Sequence, residues 1–229
     1  MRLLAIDTVT EACSVALWLD GEIATHEEVV VQKHTERVLP MVQQLLAETE
    51  TTLSQLDAIV FDRGPGSFTG LRIGAGVTQG LALGSDRPVI PVSSLATLAQ
   101  GAWRLDRQQQ VMACIDARQA EVYWAGFHLE QAVMIANTGE CIGAANTIRL
   151  AAAQAWFGVG TGFGRYPDEL AALPGVTWLG VQSQRYPLAQ DMFALALPAW
   201  QRQEWVKPAD AIPIYLRDNV ATPPQNKLA

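Results

Sequence analysis

Two aspartates stand where a carboxylate can do metal chemistry. Leu4-Ala5-Ile6-Asp7 is an apolar run closed by an acid, then a polar turn, then apolar Ala12-Cys13-Ser14-Val15-Ala16-Leu17-Trp18. Half a chain later, Ala113-Cys114-Ile115-Asp116 is followed in the same way by Val122-Tyr123-Trp124-Ala125-Gly126-Phe127. A carboxylate ending a strand beside a tight hairpin can hold magnesium through water while the hairpin amides cradle phosphate. Equally, each Asp can cap its own turn by accepting from a nearby backbone N–H. Two such units at matching places predict an internal duplication.

The most specific segment is Arg63-Gly64-Pro65-Gly66-Ser67-Phe68-Thr69-Gly70-Leu71-Arg72-Ile73-Gly74. It follows a short apolar strand, Ala58 to Phe61, and opens a helix, so helix N–H groups face whatever lies before it. No Gly-Lys-Ser/Thr follows, so it is not a Walker A loop, and it lacks the dinucleotide fingerprint. The helix itself is unusual. Gly70 and Gly74 form one stripe, and Gly76, Gly80 and Gly84 another on a different side. An interior glycine costs ~1 kcal/mol against alanine. One stripe can lie on the sheet; the other predicts a surface where a second helix approaches closely.

Other catalytic groupings are scarce. His26, His34 and His128 are the three histidines, and His34 is followed at i+4 by Val38, so no HxxxH metal pair exists. No GxSxG elbow occurs. Cys13, Cys114 and Cys141 are an odd number without CxxC spacing, which reads as reduced thiols rather than disulfides or zinc ligands.

The elements that position these residues follow from hydrophobic period and turn signals. Asp20-Gly21 marks a hairpin into a third strand, Glu22 to Val31. Val38, Met41, Val42, Leu45 and Leu46 give His34 to Glu48 a helical stripe, with Pro40 kinking or delaying its first turn. Val89 to Val92 is a strand, and Ser93 or Ser94 caps a helix through Trp103. Arg104 to Gln110 reads as the link between halves. The second half repeats strands at Val111–Asp116, Glu121–Phe127 and Val133–Ala136. A helix over Thr147–Ala155, a strand from Trp156 into a glycine turn at Gly162, and a helix over Leu188–Gln201 follow. Pro213 to Arg217 reads as extended, and the tail from Thr222 has little to bury.

Composition narrows the classes. The 229 residues are 49% hydrophobic and 17% charged, with a formal net charge of −7. That is ample for a core, excludes intrinsic disorder, and at ~150 residues per domain suggests one unit or two small ones. A surface so poor in charge hints at a covering partner. The negative balance and the lack of basic runs argue against a chain that grips nucleic acid alone. No apolar run approaches the ~18 residues of a membrane span, and Asp7 breaks the first one too early for a signal peptide. The expectation is a cytoplasmic protein with no membrane contact.

Four segments carry a family resemblance: Leu4-Ala5-Ile6-Asp7-Thr8; His34-Thr35-Glu36-Arg37-Val38-Leu39-Pro40; the Gly64–Gly74 run; and Ile115-Asp116-Ala117-Arg118 with Glu121-Val122-Tyr123. Together they resemble the TsaB (YeaZ) family, accessory proteins of bacterial tRNA threonylcarbamoyladenosine (t6A) synthesis. The resemblance runs along the whole chain and is densest over residues 1–125. One departure is Ala120, where the family often carries glycine.

The resemblance implies an α/β, actin/Hsp70-like (ASKHA, ribonuclease H-like) duplicated fold with a reduced second half. It implies an N-terminal subdomain, 1–103, carrying partner-binding helices. The shortened C-terminal subdomain, 104–229, has last residues that pack back on the first. It further implies a non-catalytic scaffold and activator that dimerises with the catalytic paralogue TsaD. With the ATPase TsaE, that assembly threonylcarbamoylates N6 of adenosine 37 in tRNAs reading ANN codons. The chain alone would be a homodimer through the same face, touching tRNA only indirectly. No cofactor is implied for the chain itself; ATP or ADP with magnesium belongs at most to the assembled complex. The interface expected is His34, Arg37, Val38, Met41, Leu45, Phe68, Leu71, Arg72, Gly74, Ala75 and Thr78. Asp7, Thr8 and Asp116 are the expected remnant of a nucleotide site. The competing expectation is an ATP-binding ATPase or kinase of actin-like fold using Asp7 and Asp116. A metallopeptidase fails for want of ligands.

Overall fold

The structure, a computed structural model, describes residues 1–30, 32–150 and 155–217. The first sheet is built from β1 (Arg2–Asp7), β2 (Ala12–Leu19) and β3 (Glu22–Val29) as an antiparallel meander. Helix α1 (His34–Glu48) leads to β4 (Ala58–Asp62), and α2 (Phe68–Ser85) leads to β5 (Val89–Val92). The strand order is β3-β2-β1-β4-β5, with β1, β4 and β5 mutually parallel. After α3 (Ser94–Asp106) the plan repeats with β6 (Gln110–Arg118), β7 (Glu121–Glu130) and β8 (Val133–Ala136). The short β9 (Cys141–Gly143) pairs with β7, and β10 (Ala155–Val159) lies parallel to β6. Helices α4 (Thr161–Arg165) and α5 (Pro167–Ala171) cross to β11 (Thr177–Gln182), and α6 (Phe193–Gln201) follows. The second sheet runs β8-β7-β6-β10-β11, the same path as the first. The expected duplication is therefore present in topology. The crossover helix of 18 residues in the first half is replaced by two of 5 residues in the second.

The central strands are apolar without alternation because both faces are covered. Leu4, Ile6, Ile59 and Phe61 pack against α1 and α2, while Leu3, Ala5, Ala58 and Val60 meet Met192, Phe193 and Ala196 from the C-terminal helical turn and α6. α6 thus packs on the first sheet. α3 does the converse: Leu95, Leu98, Ala99 and Ala102 lie on Val111, Ala113 and Phe127 of the second sheet. The expected division at 103/104 falls inside this helix. Arg104 and Asp191, joined at 2.6 and 3.1 Å, tie α3 to the turn before α6.

α1 has the predicted bounds, and it continues through Pro40, whose ring faces solvent. Ser93 is the cap of α3, accepting from Ala96 N–H. Two expectations fail. No helix occupies 148–150, and Ala155 already belongs to β10; 151–154 lie outside the described residues, as do Val31 and the tail from Thr222. The helix expected from Leu188 begins as a 3-10 turn, Ala189–Met192. Among the described residues no helix is long and apolar enough to cross a membrane.

A cleft, a sealed carboxyl pair and an open glycine face

The two Asp-ended hairpins meet across a cleft of about 1000 Å³. Asp7 does not face it. Its side chain is fully buried, and Oδ1 accepts from Val9 N–H at 3.0 Å, the turn-capping bond. Asp116 lines the cleft but is occupied: its carboxylate accepts from Arg118 N–H at 2.9 Å and pairs with the Arg118 guanidinium at 3.0 Å. Arg118 reaches on to Glu11 of the first hairpin, also at 3.0 Å. An Arg–Glu clasp thus spans the place where phosphates would lie between hairpins. This arrangement does not suit a magnesium-bound phosphate, because one carboxyl is sealed in and the other is neutralised. The second turn adds to this. Arg118, Gln119 and Ala120 all have left-handed backbones, φ 60°, 53° and 62°, with side chains where a phosphate-approaching turn wants glycine.

Asp62, at the end of β4, is a further functional candidate, one that matches no hairpin pattern in the sequence. It is buried beside Asp7; its Oδ1 accepts from Gly64 N–H at 2.8 Å and from the Ser94 hydroxyl. The signal was present, since Ala58-Ile59-Val60-Phe61-Asp62 is a third apolar run closed by an acid. Burial, with the neighbouring Asp62 charge, holds the Asp7 carboxyl well above its usual range. Burial likewise raises Asp62, to about 7, against the opposing pull of its hydrogen bonds from Ser94 and Gly64.

Thr8 explains one glycine stripe. Its Oγ1 donates to Gly70 O at 2.8 Å. A Cβ on Gly70 would come within 2.0 Å of Thr8 O, and one on Gly74 within 2.7 Å of Thr8 Oγ1. Thr8 is therefore a wedge under α2. At Gly76, Gly80 and Gly84 a Cβ would meet nothing within 4 Å among the described residues. They share an open face with Arg72 and Leu83, the latter 75% exposed. Arg72 stacks on the Phe68 ring at 3.9 Å, and Tyr215 covers that ring's other neighbourhood at 5.5 Å.

The residues expected at the interface divide between the buried and the exposed sides of α1 and α2. His34, Val38, Met41, Leu45, Leu71, Gly74, Ala75 and Thr78 are buried within the chain. An amphipathic helix spends its apolar stripe on its own sheet, so the periodic residues mark the core rather than the docking surface. Arg37, Phe68 and Arg72 are exposed, with Arg37 paired to Glu28 at 2.7 Å. Among the described residues no group of three or more His, Cys, Asp or Glu is placed to hold a metal ion.

Comparison with known proteins agrees with this architecture. The model of the family "TsaD: tRNA N6-adenosine threonylcarbamoyltransferase" matches residues 24–154. The Escherichia coli tRNA threonylcarbamoyladenosine biosynthesis protein TsaB is 44% identical over 225 residues, covering 96% of each chain. Its Haemophilus influenzae namesake is 53% identical over 125 residues, 55% of this chain and 53% of that one. The solved structure of YeaZ from Pseudomonas aeruginosa superposes with a TM-score of 0.89 at 44% identity, covering 94% of this chain and 99% of the other.

Proposed function

Because the chain belongs to the TsaB (YeaZ) family and so works in tRNA threonylcarbamoyladenosine biosynthesis, we propose that it is a non-catalytic subunit that docks a TsaD-type transferase. The observation that carries this reading is the open glycine face of α2. Gly76, Gly80 and Gly84 cost the isolated helix stability, and a Cβ at any of them would meet nothing within 4 Å among the described residues. Such a stripe repays its cost when another backbone approaches it. The sealed Asp7 and the Arg118 clasp support assigning the chemistry to the partner, and with it the modification of adenosine 37 in tRNAs reading ANN codons. Without the transferase, a second copy of this chain is the natural occupant of the same face. The net charge of −7 supports tRNA contact through the partner, with TsaE joining the assembly in the cytoplasm.

The test is co-sedimentation of the purified chain with a TsaD-type subunit, beside a Gly80→Leu variant. The wild type should form a mixed complex and support tRNA modification only when the transferase is present. Gly80→Leu should stay folded and fail to associate, since bulk is placed where backbones meet. Undiminished association of Gly80→Leu would put the interface elsewhere. Modification by the single, contaminant-free chain would make it an enzyme.

A further inference from the structure

We propose that Asp7 and Asp62 form a sealed proton-binding site, one proton held between two carboxyls, which fixes how firmly the first turn of α2 is seated. β1 and β4 run parallel with Ile6 opposite Phe61, so the next residue of each strand, an aspartate, lies side by side with the other. Exposure is 0% for Asp7 and 2% for Asp62. Each Oδ1 is used by named donors: Val9 N–H for Asp7, Gly64 N–H and the Ser94 hydroxyl for Asp62. Each Oδ2 is buried with no donor at all. Two adjacent buried acceptors without a donor repel, and an unmet buried carboxylate is costly. One proton resolves both problems, making Asp7 a donor to Asp62.

Among the described residues neither Oδ2 has a donor. From β2 Ser14 stands opposite Asp7 in the register, its hydroxyl oxygen accepting from Ala189 N–H at 2.8 Å, while the Cys13 thiol lies on the other face of the sheet beside Ile6 and, pushed up to about 12 by burial, stays neutral. Past Asp62, the Arg63 guanidinium is turned away into a two-point pair with Glu140 at 3.0 and 3.2 Å. From α3 comes only the Ser94 hydroxyl, already donated.

The pair anchors the two segments that meet beneath α2. Asp7 holds the turn whose Val9 O accepts from Ser67 N–H at 2.8 Å and whose Thr8 lies under Gly70 and Gly74. Asp62 holds the loop through Gly64 that delivers Ser67, the α2 cap. Loss of the shared proton sets two like charges between these segments and loosens the start of the helix.

The sign follows from linkage. The native pair binds protons that the unfolded carboxylates have released, so its contribution to stability is fullest at low pH. It is lost as pH rises from the ordinary carboxylate range through the raised native one. The experiment is calorimetric unfolding near pH 6 in buffers of differing ionisation enthalpy, with wild type, Asp62→Asn, Asp7→Asn and the double variant. Asn keeps the shape and supplies an N–H donor. Wild type should release at least about one proton more on unfolding than any Asn variant. Amide exchange at residues 68–71, corrected for intrinsic rates, should quicken with pH in wild type only. Equal proton release, or equal pH slopes, would overturn the proposal. Stabilisation of wild type but not Asp62→Asn by millimolar magnesium or calcium would also overturn it, in favour of a cation. A docking arm rests on the function proposed above: association with the transferase should weaken several-fold as pH rises through the raised range of Asp7 in wild type and hold in Asp62→Asn. If proton release is as expected and this arm is flat, the docking-helix reading fails while the proton site stands.

Discussion

Alanine substitution along α2 separates the two glycine stripes by the sign of their effect on the monomer. At Gly76 and Gly80 a new Cβ meets nothing within 4 Å among the described residues. Only the backbone terms remain: less entropy lost on folding and a better helix former, together ~1 kcal/mol of gain at an interior position. For a chain of 229 residues that is a rise of roughly 2–4 °C in Tm for each variant. At Gly74 the Cβ would stand 2.7 Å from Thr8 Oγ1. The hydroxyl must move, breaking its bond to Gly70 O, a loss of ~1 kcal/mol that offsets the propensity gain. At Gly70 the obstacle is Thr8 O at 2.0 Å, a backbone atom in the β1 turn that cannot step aside. Overpacking there costs ~1–3 kcal/mol or more. The expected order of Tm is Gly80→Ala above wild type, then Gly74→Ala, with Gly70→Ala lowest. Circular dichroism melts at low micromolar concentration give the order, with sedimentation checking that each sample is monomeric, because self-association would add a concentration-dependent term. A monomeric Gly80→Ala that melts below wild type would refute the reasoning, since it would mean that the stripe already packs inside this chain.

Two further substitutions probe the halves and their junction. Ala120→Gly should raise the urea midpoint at unchanged slope, by ~1 kcal/mol, because the exposed Ala120 sits at φ 62°, where a Cβ is penalised and nothing is lost with it. Arg104→Ala should cost about 3 kcal/mol in denaturant unfolding, because the Asp191 side chain, 3% exposed, loses its two-point partner. Burial already raises the Asp191 carboxyl and Arg104 opposes that, so the variant's deficit should grow as pH rises through the carboxylate range.

What the sequence made legible was whatever depends on neighbours along the chain. The apolar stripe of α1 gives its bounds, Ser93 caps α3, and two strand–Asp–turn–strand units announce a repeated sheet, because period and turn chemistry are local. What stayed hidden depends on residues distant in sequence. Gly74 and Gly76 are equivalent by type and spacing, and only Thr8, folded in from β1, decides that one is filled and the other free. The same distance bears on the expected interface residues: a periodic apolar position such as Val38 or Met41 is evidence of a surface covered by something, and here the chain's own sheet covers both. Asp62 was passed over for a related reason. Asp7 and Asp116 stood before hairpins, whereas Asp62 precedes a crossover loop, so nothing local joined it to Asp7. Only the parallel pairing of β1 with β4 makes them neighbours, which is why two unremarkable turn-capping acids become, in three dimensions, a pair that must share a proton.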